Sequence, residues 1–90
     1  MKVTIRNLEQ RLKALANARR LGILVYLKKG GDATVGDIAG AVRSSIQTAS
    51  QHLRILKAAG VVEYKRRAKY VTYRLSLKQE EPVKKILALL

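Results

Sequence analysis

The sequence predicts a mainly α fold carrying one small β-hairpin, in the order helix, helix, helix, helix, strand, strand, helix. Three observations predict it. Apolar residues recur at three- and four-residue steps along the first two thirds of the chain, the spacing of helix faces turned toward a core. Gly30, Gly31 and Gly60 interrupt that spacing where helices need to stop. After Gly60 the period falls to two, the pattern of half-buried strands.

From Val3 to Leu15, Ile5, Leu8, Leu12 and Leu15 make one stripe of a first helix, with Arg6, Glu9, Gln10 and Lys13 between them. Asn17 has the short side-chain oxygen that caps a second helix, Ala18 to about Lys29, which Gly30 and Gly31 end. Its apolar side is Leu21, Leu24, Val25 and Leu27. Gly22 costs about 1 kcal/mol in a helix interior, so a close helix contact is expected there. Thr34 opens a short third helix through Val42, with Asp37 in the first turn, where a carboxylate suits the helix dipole. Val35 belongs either to that helix or to a brief strand added to the sheet. Ile38, Ala39 and Val42 are its expected buried residues.

Ser44 or Ser45 caps a fourth helix that ends before Gly60. Ile46, Ala49, Leu53 and Leu56 form its core side, and Gln47, Thr48, Gln51 and Arg54 point away. Val61 to Lys65 and Tyr70 to Leu75 pair as strands, with Val62, Tyr64, Val71, Tyr73 and Leu75 sharing a face. Pro82 suits a first helical turn, and Val83, Ile86, Leu87 and Leu90 follow it in a closing helix.

Two short helices joined by a tight turn over 34–59, the second polar outside, make a helix-turn-helix. The basic hairpin at 61–75 makes it winged. Ninety residues form a single domain, 1–90, around one modest core. The terminal helices, 1–15 and 80–90, carry more apolar surface than so small a fold needs. Ile5, Leu8, Leu12, Leu15, Val83, Ile86, Leu87 and Leu90 are therefore expected at a twofold dimer interface. Packing of the two helices on each other within one chain is the alternative.

Nineteen basic residues against six acidic ones leave a net charge of +13, which repels itself and suits a polyanionic partner. The charge is clustered. From Arg43 to Lys78 nine basic side chains face one acid, Glu63, a concentration that solubility alone does not require. There are no cysteines and one histidine, so disulfides, thiolate metal sites and multi-histidine cages are excluded. No apolar run approaches the ~18 residues of a membrane span, and no signal-peptide pattern opens the chain, so the expected compartment is the cytoplasm. Paired carboxylates at useful spacing, a cysteine nucleophile and a glycine-rich phosphate loop are all missing, which argues against an enzyme.

The recognition candidates lie in the fourth helix and the hairpin. Ser45, Gln47, Thr48, Ser50 and Gln51 occupy its start, the part of a helix-turn-helix that enters the major groove. Glutamine pairs with adenine through two hydrogen bonds, and Ser or Thr reaches bases or phosphates. The bland alternative is a solvated polar face, or for Ser50 a small residue that lets the third helix pack closely. Arg54 is the expected phosphate contact on this helix, whereas Lys57 also suits the dipole at its end. Lys65, Arg66, Arg67 and Lys69 crowd the hairpin tip with no acid among them, suited to the backbone or to a narrow minor groove. Arg19 and Arg20 are secondary phosphate candidates. Tyr64, Tyr70 and Tyr73 are expected to pack along the hairpin, and His52 to be a structural residue at the edge of the apolar stripe.

The segments LKALANARRLGILVYL, SIQTASQHLRILKAAGVV and RRAKYVTYRL, in this order, resemble the second-helix entry, recognition helix and wing of the ArsR-type winged-helix transcriptional regulators. That resemblance implies a small homodimeric repressor that binds double-stranded DNA at a pseudo-palindromic operator. Known members sense metals through cysteines of the third helix or Asp, His and Glu of the last. TVGDIAGAV has no cysteine and EEPVKKILALL no histidine, so no metal or other cofactor is expected. The family's wing turns on a glycine where this chain has Ala68. The rival functions are a nucleoid protein without sequence preference and an RNA-associated winged helix.

Overall fold

The first four helices each start on a side-chain oxygen that the sequence supplies at the right place. In the computed structural model, which describes residues 4–90, α1 (Ile5–Leu15) is capped by Thr4, whose Oγ1 accepts from the Asn7 amide at 3.1 Å. Val3, expected in this helix, lies outside the described residues. Asn17 Oδ1 accepts from the Arg20 amide at 3.0 Å to start α2 (Ala18–Gly30). Thr34 and Asp37 form a reciprocal capping box at α3 (Val35–Ala41). Ser45, rather than Ser44, caps α4 (Ile46–Ala58). Only α5 (Val83–Leu89), which begins after Pro82, lacks such a bond among the described helices.

The hairpin strands are β2 (Val62–Arg67) and β3 (Tyr70–Leu75). Their register pairs Val62 with Leu75, Tyr64 with Tyr73 and Arg66 with Val71, which puts the expected apolar set on one face. β2 runs two residues past Lys65, because Arg66 and Arg67 also find partners and leave Ala68-Lys69 as a two-residue turn. A third strand, β1 (Ala33–Thr34), extends the expected hairpin. It pairs antiparallel with Tyr73 and Thr72, giving the sheet order β1-β3-β2. Both readings of this region are thus partly met: a brief strand exists, and Val35 begins the helix after it.

The core gathers Leu15, Ile23, Leu24, Leu27, Ile38, Leu53, Leu56, Val61, Val62 and Val83. α2 lies at its centre and meets α1, α3, α4 and β3, so burial wraps around it. That is why Ile23, absent from the expected apolar side, is fully buried while Val25 is only half-buried. At Gly22 an added methyl would stand 3.6 Å from Val42 Cγ1, an ordinary contact, so close approach is not what requires glycine there. Gly60 does have a requirement. Its φ of 77° is left-handed, and with it Val61 N donates to Leu56 O at 2.9 Å, ending α4 and turning the chain into the sheet.

One residue of the α4 stripe departs from expectation. Ile46 is 58% exposed, because it opens the first turn and projects past the elements that cover Ala49, Leu53 and Leu56. The terminal helices divide as well. Leu15, Val83 and Leu87 are buried in the chain's own core, so for them the intramolecular alternative holds. Ile5 (88%) and Leu12 (47%) are exposed, Leu8, Ile86 and Leu90 are half-buried, and Leu89, outside the expected set, is 81% exposed. α1 lies beside α5, with Arg11 Nη1 donating to Glu81 O at 3.1 Å.

Candidate nucleic-acid interface

Facing away from the core, α4 presents Gln47, Gln51 and Arg54, all exposed, with Thr48 and Ser50 half-buried beside them. The cap at its start shapes what these groups can offer. Thr48 N donates to Ser45 Oγ at 3.0 Å, and Ser45 Oγ donates to Thr48 Oγ1 at 3.0 Å. The Ser45 hydroxyl proton is therefore spent on the helix, while that of Thr48 is left to reach outward. The side chains of Gln47, Gln51 and Arg54 make no hydrogen bond to a described residue.

At the wing tip Lys65, Arg66, Arg67 and Lys69 are all exposed, and none is bonded to a described side chain. Successive strand residues face opposite ways, so Lys65 and Arg67 lie on one side and Arg66 on the other. Ala68 takes φ 51° at the first position of the turn, where glycine is favoured in two-residue hairpins. The lone acid of this region does not oppose the tip. Glu63 Oε1 accepts from Arg74 Nε at 2.8 Å, which neutralises one cation at the wing's base. Tyr64 and Tyr73 pack across the strands with centroids 6.0 Å apart, and Lys57 Nζ lies 4.2 Å from the Tyr64 ring centroid. Tyr70 is exposed, opposite Arg67.

Of the two secondary phosphate candidates, Arg19 is exposed and Arg20 is engaged inside the protein. Arg20 Nε donates to Ala14 O at 2.6 Å and Nη2 to Lys13 O at 3.0 Å, while Nη1 stands 3.3 Å from His52 Nδ1. A guanidinium only donates, so Nδ1 accepts and the histidine is neutral with its proton on Nε2. Burial, then the charges of Arg20 and Arg19, hold the His52 pKa below its ordinary value of 6.5. His52 is thus a structural residue of α4, as its sequence position implies. The sequence does not show what Arg20 bonds; that appears only when the carbonyls at the end of α1 are accounted for.

Residues 9–64, well over half of the chain, match the profile of the bacterial regulatory proteins of the arsR family. The chain belongs to that family. A cadmium resistance transcriptional regulatory protein CadC homolog of Staphylococcus aureus is 39% identical over 82% of this chain and 59% of its own length. The arsenical resistance operon repressor of Escherichia coli is 37% identical over 74% of this chain and 57% of its own. The chain therefore spans somewhat under three fifths of either relative. Among solved structures, the homodimeric winged helix-turn-helix DNA-binding domain of Mb0332 from Mycobacterium bovis superposes with a TM-score of 0.81 at 38% identity. That match covers 94% of this chain and 75% of the other. ArsR-family members are DNA-binding transcriptional regulators and not enzymes, and the winged helix-turn-helix here is that of the family.

The names of these relatives speak of cadmium and arsenical resistance, yet the residues here do not fit a thiolate site, since the sequence has no cysteine. Among the described residues no three His, Asp or Glu side chains converge, and His52 is bonded to an arginine. No described helix is long and apolar enough to cross a membrane.

Proposed function

We propose that this ArsR-family chain acts as a homodimeric, sequence-specific repressor of transcription, with no metal sensor, on a pseudo-palindromic operator in double-stranded DNA. One juxtaposition carries the reading. The polar face of α4, without side-chain partners among the described residues outside its own cap, adjoins a wing whose four tip cations likewise have none there, and the nearby acid is already spent on Arg74. Gln47 and Gln51 choose bases, Thr48 and Ser50 reach base edges or phosphates, and Arg54 with the wing cations holds the sugar-phosphate backbone. Ile5, Leu8, Leu12, Ile86, Leu89 and Leu90 supply the apolar face on which two chains meet. Such a dimer sets two α4 helices about 34 Å apart, one turn of the duplex. It works beside the chromosome, in the cytoplasm. Repressors of Escherichia coli and Bacillus subtilis among the relatives support repression as the direction, and an activator of Vibrio cholerae is the contrary case.

A net charge of +13 on ninety residues favours a second reading, a nucleoid protein that coats DNA regardless of sequence. Selection of bound duplexes from a random pool decides between them. The repressor reading expects a pseudo-palindrome with half-sites one turn apart and two chains per duplex. Recovery of duplexes with no shared sequence supports the coating protein, and recovery of none refutes both.

A further inference from the structure

Every carbonyl in the last turn of α1 has a partner, and two of them have the same one. Leu12 O accepts from Ala16 N and Leu15 O from Asn17 N, which leaves Lys13 O and Ala14 O without backbone donors. Arg20 closes both with Nη2 and Nε, and its third nitrogen reaches His52 in the middle of α4. The guanidinium is planar and rigid, so fixing two of its nitrogens on α1 also fixes the direction of the third. Among the described residues the one direct side-chain bond between α1 and α4 runs from Gln10 Nε2 to Ala58 O, also 3.3 Å, at the far end of α4.

We infer that Arg20 is a positioning residue, a latch through His52 that sets the angle between α1 and the recognition helix and so the half-site spacing the dimer accepts. This rests on the proposed dimer, in which α1 belongs to the shared face. Leverage makes the angle matter. Each recognition helix lies about 17 Å from the twofold axis, so a 10° tilt moves it by about 3 Å, close to one base-pair step. A latch that confines α4 to a few degrees therefore decides between neighbouring spacings.

The test is binding to a set of duplexes whose half-sites are separated by spacers differing one base pair at a time. Wild type is expected to prefer one spacing at least tenfold over its neighbours. Arg20→Gln, and His52→Ala, which leaves both α1 bonds of Arg20 in place, are expected to lower that ratio at least threefold. His52→Asn, whose amide oxygen accepts the same bond, is expected to restore it. The dependence of affinity on salt stays as in wild type. If Arg20 touched phosphate instead, Arg20→Gln would flatten the log–log salt slope by about 1.8 for two chains, while Arg20→Lys would keep it. That result overturns the latch. So does an unchanged spacing ratio in His52→Ala, which decides the matter even if Arg20→Gln fails to fold. Failure of wild type to bind any duplex refutes the proposed function itself and is a separate outcome.

Discussion

The sharpest prediction concerns salt, because the structure separates cations that meet a partner inside the protein from those that do not. Arg20 is held by α1 and His52, Arg74 by Glu63, Lys28 by Leu87 O at 2.8 Å, and Lys57 by the Tyr64 ring. Arg54, Lys65, Arg66, Arg67 and Lys69 are the five exposed cations assigned to α4 and the wing on the proposed DNA face, ten in a dimer, Arg19 being left out of the count. If each displaces one counterion from the duplex, log affinity falls with log salt at a slope no steeper than about −9. Raising salt from about 50 to about 200 mM then costs up to about five decades in affinity. Removing Arg67 takes one contact from each chain, so Arg67→Ala should flatten the slope by about 1.8 and weaken all duplexes alike. Fluorescence anisotropy on a labelled duplex across a salt series measures both. A wild-type slope shallower than about −3 would mean fewer than four phosphates for two chains and would refute the assignment of the wing. An unchanged slope in Arg67→Ala would refute the role of that residue alone.

Three further outcomes concern the scaffold. Leu53→Ala removes a fully buried side chain of α4 and should lower unfolding free energy by about 2–5 kcal/mol in urea titration. Ser45→Ala deletes the cap of α4 and should cost about 1 kcal/mol, whereas Ser45→Asp should hold the melting temperature yet weaken DNA binding by setting a carboxylate against the duplex. His52 has its pKa held below 6.5 by burial, Arg20 and Arg19, so the unfolded chain takes up its proton first. The stability this contributes is complete above pH 6.5 and lost as pH falls through the folded-state value. Melting followed from pH 7.5 to pH 5 should thus fall more steeply for wild type than for His52→Asn.

Much of this fold was legible because its signals are local. Thr34, Asn17 and the Ser44-Ser45 pair announce helix starts through side chains that cap, and the spacing of Ala49, Leu53 and Leu56 orients α4 and thereby exposes Gln47, Gln51 and Arg54. What stayed hidden depends on partners distant in sequence. β1 is two residues long and exists because β3 offers a free edge, so the sequence offers a brief strand near Val35 only as one of two readings and does not fix its place at Ala33–Thr34. Ile23 is buried because α2 is surrounded, which a single-face reading cannot show. Arg43 holds φ 54° in the turn before α4, a conformation usually left to glycine or asparagine, and its residue type gives no hint of it. Arg20 reads as one more charge until its three contacts are counted.

The two halves of the interface are supported in opposite ways, and this bears on how they divide the work. α4 is packed through Ala49, Leu53 and Leu56, capped by Ser45 and bonded at His52, so in the proposed complex it would meet DNA already placed. Pre-placed groups lose little freedom on binding, which suits base reading, where hydrogen-bond geometry discriminates. The wing is thinner. β1 pairs only with Thr72 and Tyr73, so beyond that point the tip is a bare two-stranded ribbon. Such ribbons are marginal in water, and four like charges with a left-handed alanine at the turn weaken this one further. Against a phosphate backbone the charge repulsion is relieved, and a compliant tip follows a groove whose width varies with sequence. Its three-stranded base keeps that tip beside α4, so the compliance does not spread into the helix proposed to select the bases.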